Sequence, residues 1–260
     1  MMTQNQGLQH QAEFEVILPI GYTDAGGTVH RRAVLRKMRG HEEALLYDQS
    51  LSTGQLVTAL LLSCLVRLGD VPALDAATVA ELYTADRNYL LLELRRITLG
   101  NTLLAWYSCP RCADQIQVLE DLSQVGIRRL ADEEALSDIV LTLDDGYVDR
   151  HGVQHNELTL TLPSGADEEF IAPMAEKDPL KAQDALLLRC IKRFGTLPKA
   201  ALEAYGVKIL RELTLGDRQR LHKVFQEQTP GIDFRRTVAC PQCQTRFQGV
   251  MDLSNFFVLS

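Results

Sequence analysis

The sequence is short of the features that announce membranes, nucleic acid or catalysis. It has no apolar run of the roughly 20 residues needed to cross a bilayer. The longest, around Leu56 to Leu68, is interrupted by Thr58, Ser63 and Arg67. Met1 to Ala12 are rich in Gln and lack the apolar stretch of a signal peptide. An excess of positive charge is missing too. With 27 Lys and Arg against 34 Asp and Glu, the formal net charge is −7, whereas nucleic-acid binders gather cations against phosphate. There is no P-loop, no GxGxxG and no GxSxG. The six histidines form no metal motif. His151 and His155 are four apart, but Gly152 and a hairpin pattern deny them a common helical face, and His41-Glu42-Glu43 lacks a second His. These absences predict a cytoplasmic protein that is not an enzyme, with no small-molecule substrate and no membrane partner, and with nucleic acid disfavoured.

What is present is a chain that repeats itself. Hydrophobic residues make up 46% and charged residues 23%, enough apolar matter for a globular core. Two short frames, Cys109-Pro110-Arg111-Cys112 and Cys240-Pro241-Gln242-Cys243, lie 131 residues apart (240 − 109). Asp86-Arg87 recurs as Asp217-Arg218 and Asp121-Leu122-Ser123 as Asp252-Leu253-Ser254 at the same offset. Upstream, Ala59 to Leu62 with Cys64, Arg67, Gly69 and Pro72 recurs 126 residues on as Ala185 to Leu188 with Cys190, Arg193, Gly195 and Pro198. Gly21-Tyr22, Asp24, Gly27, His30, Gly40 and Glu43 recur 125 residues on. This pattern predicts a tandem duplication of one unit of about 125 residues, an ordinary domain size. The expected organisation is a disordered tail over 1–13, a first unit over 14–125 and a second over 137–260.

Each unit is predicted to be α+β: a β-hairpin, a helix pair and a closing knuckle hairpin, the units being related by a pseudo-twofold. Phe14 to Leu18 and His30 to Arg36 flank a turn on Asp24, Gly26 and Gly27. Ile139 to Leu143 and Glu157 to Leu162 flank Asp149 and Gly152, and the alternation of Glu157 to Leu162 has the period of a half-buried strand. Hairpin geometry accounts for the equivalent positions of His30 and His155. Gln55 to Leu68 and Asp184 to Phe194 read as helices capped by Gly69 and Gly195. Cys64 and Cys190 fall on their leucine faces, as core residues. A second helix runs from near Thr84 through Arg96, and from near Thr214 through Glu227. Asp86 and Asp217 fall in the first turns, facing the helix dipoles, with a salt bridge between units open to the arginines beside them. Arg128 to Glu134 and Ala175 to Asp184 read as connectors, and Phe256 to Leu259 as an apolar tail that packs back or docks on a partner.

The Cys frames sit between strand-like segments, Leu103 to Tyr107 and Ile116 to Leu119 in one unit, Phe234 to Val238 and Phe247 to Val250 in the other. One Cys-x-x-Cys turn supplies two thiolates, half the tetrahedron that structural Zn2+ requires. Two turns complete it, but their separation far exceeds the roughly 12 to 20 residues of a contiguous finger. Cys109, Cys112, Cys240 and Cys243 are therefore expected to assemble one structural zinc site across the two units. The alternatives are a zinc-ribbon nucleic-acid binder, which net charge disfavours, and a Cys-x-x-Cys thiol oxidoreductase. The latter would need each first Cys at a helix start.

Four stretches resemble the phage baseplate protein family typified by hub-assembly proteins of T-even phages. They are Phe14 to Asp24, His30 to Arg36, Asp86 to Leu92 with Leu94-Arg95 and Thr98, and Cys109-Pro110-x-Cys112 with Asp121-Leu122. Relatives of this family occur in phage tails and contractile injection systems, and the resemblance is strongest over residues 14 to 125. It implies a non-enzymatic role in building a baseplate or central hub. Its implied partners are the hub, spike or baseplate proteins of a tail-like particle. Ala113 and Gln244 stand where such knuckles usually carry Gly.

Overall fold

The structure, a computed structural model, describes residues 12–131, 134, 136–251 and 257. The expected tail lies outside the described residues except for its last two, and Glu13 already begins the first strand.

The fold is mixed α+β with small sheets. Its first half runs β1 (Glu13–Thr23), β2 (Val29–Arg36), α1 (Gly40–Leu46), α2 (Thr53–Cys64) and β3 (Leu65–Leu68), then α3 (Ala76–Glu81), α4 (Thr84–Leu99), β4 (Thr102–Ser108), β5 (Gln115–Asp121) and β6 (Ile127–Arg128). The second runs β7 (Ile139–Val148), β8 (Gln154–Leu160), α5 (Gly165–Ala175), α6 (Pro179–Cys190) and β9 (Ile191–Phe194), then α7 (Lys199–Glu212), α8 (Leu215–Gln228), β10 (Gly231–Ile232), β11 (Arg235–Ala239) and β12 (Arg246–Val250). Two three-stranded antiparallel sheets, β1-β2-β3 and β7-β8-β9, carry one helical layer each.

The alternating strands form where the sequence predicts them, and their irregularities match. The β1–β2 ladder breaks between Ile17 and Tyr22, and the β7–β8 ladder between Thr142 and Tyr147. At the first break a buried Asp86 carboxylate accepts the N–H groups of Ile20 and Gly21 at 2.9 and 2.8 Å. At the second, Asp217 accepts those of Asp144, Asp145 and Gly146 at 2.8, 3.2 and 2.8 Å. Backbone donors freed by a bulge cannot stay unpaired inside a protein, so each half brings a carboxylate to them. These aspartates, expected to answer the helix dipole, do their main work on the opposite strand. The histidines hold the hairpin turns. His30 Nε2 lies 3.0 Å from Asp24 and His155 Nε2 3.4 Å from Asp149, while their Nδ1 atoms accept from the N–H groups of Asp70 and Thr196.

Several expectations need correction. The apolar runs ending at Gly69 and Gly195 are not helical throughout: the helices stop at Cys64 and Cys190. The next four residues turn into β3 and β9, which pair with β2 and β8. Leu65-Val66-Arg67-Leu68 buries its two ends and exposes its middle, a pattern that serves strand or helix alike in so short a run. Gly69 has a positive φ of 49° because it closes against His30, where a Cβ would stand 2.5 Å from Nδ1. Among the described residues the helix pair is in fact four α-helices per half. Ala175 to Asp184 is no connector: only 176–178 link α5 to α6. Arg128, the first residue of the other expected connector, closes β6 (Ile127–Arg128), which pairs with β10 of the second half.

Three apolar clusters make the core. One lies between the first sheet and α2 and α4, one between the second sheet and α6, α7 and α8, and a third joins the halves. The third contains Leu92, Leu103 and Tyr107 from one half with Val238 and Met251 from the other. Phe257 packs on the first and third clusters; Phe256, Val258 and Leu259 lie outside the described residues.

Candidate metal centre

Two hairpins carry the Cys frames to one point. β4 and β5 pair without interruption from Thr102↔Asp121 to Ser108↔Gln115, and β11 and β12 from Arg235↔Val250 to Ala239↔Arg246. Their inner faces stack. Gly249 lies against the Tyr107 ring, where a Cβ would stand 2.5 Å from Cδ1, so only glycine permits this approach. Within the first hairpin Glu120 accepts from the Tyr107 hydroxyl at 2.7 Å, and across the stack it lies 3.4 Å from Arg236 Nε.

Each tip is the same turn. The Ala113 N–H donates to the Cys109 carbonyl and the Cys109 N–H to the Asp114 carbonyl, both at 2.9 Å. Gln244, Cys240 and Thr245 repeat both bonds at 2.9 Å. Ala113 and Gln244 each have φ of 59°, the only non-glycine residues with positive φ among those described. The turn therefore adopts the left-handed shape that knuckles usually assign to Gly, at a cost of about 1–2 kcal/mol in each copy. Two strained residues at equivalent positions point to a geometry imposed by the site.

All four Sγ atoms lie within 4.8 Å of one another. Cys109 faces Cys243 and Cys112 faces Cys240, each pair 3.6 Å apart. The two contacts exchange under the same permutation that exchanges the frames. The spacing is far from the roughly 2.05 Å of a disulfide. It is near the roughly 3.8 Å edge of a sulfur tetrahedron around a metal at about 2.3 Å. Cys109 and Cys240 are buried, Cys243 is half-buried and Cys112 is exposed. Their protons are tied together. A hydrogen bond from Thr245 and contacts with the other thiols pull Cys243 down to about 6. The Asp114 N–H favours the Cys112 thiolate, but burial and its three thiol neighbours outweigh it and push that thiol up to about 12. Four thiolates crowded this closely need a cation, and the donor set suits a metal ion that prefers sulfur. Cys64 and Cys190 lie elsewhere, buried in the core, where desolvation raises each to about 12.

A second junction between the halves carries no sequence motif beyond Asp-Arg. The Arg87 guanidinium is buried and donates to Thr58 Oγ1, the Gly54 carbonyl and the Val79 carbonyl at 2.9, 3.0 and 3.1 Å. Its ion-pair partner, Glu168 at 3.7 Å, comes from α5 of the other half. Thr58 donates across the same seam to Glu169. Arg218, its counterpart, stays within its own half and pairs with Asp184 at 2.7 Å. The difference turns on position 58, which is Thr where the second half has Asp184.

Among the described residues no helix is long and apolar enough to cross a membrane. No curated protein and no solved structure matches the chain. The family model described as T4 bacteriophage base plate protein matches residues 35–258, which spans both Cys frames, the first half from the end of β2 onward and nearly all of the second. The chain belongs to that phage baseplate family.

Proposed function

We propose that the protein is a structural or assembly component of a baseplate or central hub in a phage-tail-like contractile particle. In this reading it is a duplicated unit whose copies are locked by one shared structural zinc. The observation that carries it is a four-thiol cluster drawn equally from two distant frames, in a chain of a baseplate family. Matched bulges, matched knuckles and the same order of three-stranded sheet, four helices and knuckle hairpin, the short strands β6 and β10 apart, support descent from one repeated unit. Cys109 and Cys112 of one half with Cys240 and Cys243 of the other would hold the ion. Zinc would supply no redox chemistry, only cross-linking; structural sites of this kind contribute about 10–16 kcal/mol of apparent binding energy in small peptides.

The partners are other proteins of the particle, with assembly in the cytoplasm, and the role is non-enzymatic. Both Cys frames sit between strands rather than at helix starts, which disfavours the thiol-oxidoreductase alternative. The test is particle yield, counted by electron microscopy, in cells complemented with Cys109→Ser or Cys240→Ser. Both variants should lose complete particles to the same degree, because either removes a ligand of one ion. Normal yield from both would refute the role of the metal, and loss from only one would mean that the frames act separately.

A further inference from the structure

A cleft of 470 Å³ opens at the seam of the two halves. α4 lends it Thr84 and Asn88, α6 and α8 lend Leu186, His222 and Phe225, and Phe234 closes it beside β10. Its size is that of a site for a small organic group. At the 126- and 131-residue offsets the last four have counterparts in the first half, Leu60, Leu91, Leu94 and Leu103. All four counterparts are buried, whereas Leu186, His222, Phe225 and Phe234 are each only half-buried. The same junction is closed in one half and open in the other.

The first half has an aromatic side chain at this junction that the second lacks. Phe257 packs on the first and third clusters, the ones that hold those four leucines. At the 131-residue offset its counterpart is Gly126 (257 − 131), which brings no side chain. The Gly126 carbonyl accepts from the Asp233 N–H at 2.8 Å, and Asp233 lines the cleft. The backbone does not demand glycine there. Its φ is outside the left-handed range, and among the described residues a Cβ would meet only Asp233 within 4 Å, at 3.8 Å. Glycine at this position leaves open a space that a phenylalanine could occupy.

We propose that the cleft receives an aromatic side chain from another protein of the particle, which does for the second half what Phe257 does for the first. Aromatic side chains seated in apolar pockets are the anchors that carry much of the affinity between proteins. Because residues of both halves wall the cleft, one such anchor would also hold the halves in register. The proposal rests on the reading of the chain as a duplicated baseplate component. It does not rest on the metal, since no cysteine of the four-thiol cluster lines the cleft.

The probe is N-acetylphenylalaninamide, titrated into the full chain and followed by the methyl NMR shifts of Leu186 and Leu187. It should bind with a Kd on the order of millimolar. N-acetylglycinamide, which has no ring, should leave those shifts unmoved. Gly126→Phe supplies the missing ring from within the chain. It should weaken probe binding by about 10-fold or more and abolish complete particles in complemented cells, while zinc content per chain stays that of the parent. Should that variant fail to fold by far-UV circular dichroism, Gln183→Trp, at an exposed site on the rim of the cleft, is expected to give the same result. Loss of particles with zinc retained separates this docking site from the shared-metal reading, whose own failure would show in the Cys109→Ser and Cys240→Ser variants. No probe binding by the parent, equal binding by the filled variant, or a normal particle yield from it would overturn the proposal.

Discussion

Gly40 and Gly165 occupy equivalent positions, 125 residues apart, at the first residue of α1 and of α5. Alanine at the two should have opposite effects. Around Gly40 a new Cβ meets nothing within 4 Å, so Gly40→Ala restricts the unfolded chain without disturbing the folded one. A gain of about 0.4–1 kcal/mol is expected. At Gly165 the new Cβ falls on the Arg87 guanidinium, 2.6 Å from Nε and closer still to Nη1. Arg87 is among the largest fully buried side chains and cannot move without leaving Gly54, Val79 and Thr58 unpaired and Glu168 uncompensated. Displacing a fully buried guanidinium from its three hydrogen bonds costs about 3–5 kcal/mol. For a chain of this size that corresponds to roughly 6–20 °C in Tm. Urea unfolding and calorimetry on both variants provide the comparison. Equal shifts, or a Gly165→Ala protein as stable as the parent, would refute the assignment of the α2–α5 seam to Arg87.

The remaining expectations are local. Burial works against the Glu42 carboxylate, but hydrogen bonds from Arg36, Ser63 and the Arg39 N–H outweigh it and hold its pKa at about 2 against an ordinary 4.5. A depressed folded pKa gives stability that is present above about 4.5 and lost as pH falls through about 2, about 3 kcal/mol in all. Glu42→Gln should remove that acid-side slope, measured as urea midpoints from pH 2 to 5. Asp86 behaves in the opposite sense. Burial raises it to about 6 despite the two N–H bonds it accepts, so its contribution is complete below about 3.8 and declines as pH rises through about 6. Asp86→Asn should therefore flatten stability between those values. Ala113→Gly and Gln244→Gly relieve about 1–2 kcal/mol of left-handed strain each, less about 0.5–1 kcal/mol for the freer unfolded chain. Each should be neutral or stabilising by up to about 1.5 kcal/mol in thermal unfolding, against a loss for Gly at the exposed helical site Ala204.

The sequence was most legible where one residue type admits few conformations. Alternation in Glu157 to Leu162, turn residues at Asp24 and Gly27, and the paired Cys frames each led to the element observed. The candidate site was readable because two thiols on one turn leave a tetrahedron half filled. Short helices were not: α1 and α3 have 7 and 6 residues, too few for a 3.6-residue period to stand out. The end of α2 was hidden because Leu65 continues an apolar run that strand and helix both accept. The knuckle turns were read from the Cys frames, but Ala113 and Gln244 gave no sign that each takes the left-handed conformation usually left to glycine. The Arg87–Glu168 pair was out of reach for another reason. Arg87 and Arg218 look identical in sequence, and only the packing of α5 on α2 gives the first a partner from the other half.

The central claim is one metal held jointly by the two halves, and zinc content per chain tests it most directly. Protein purified without chelator should hold about one zinc by elemental analysis, since four thiolates complete one tetrahedral site. Cys112→Ser and Cys243→Ser should each lose it alike, although they lie 131 residues apart (243 − 112). Two metal ions per chain, or none with four freely titratable thiols, would contradict a shared site.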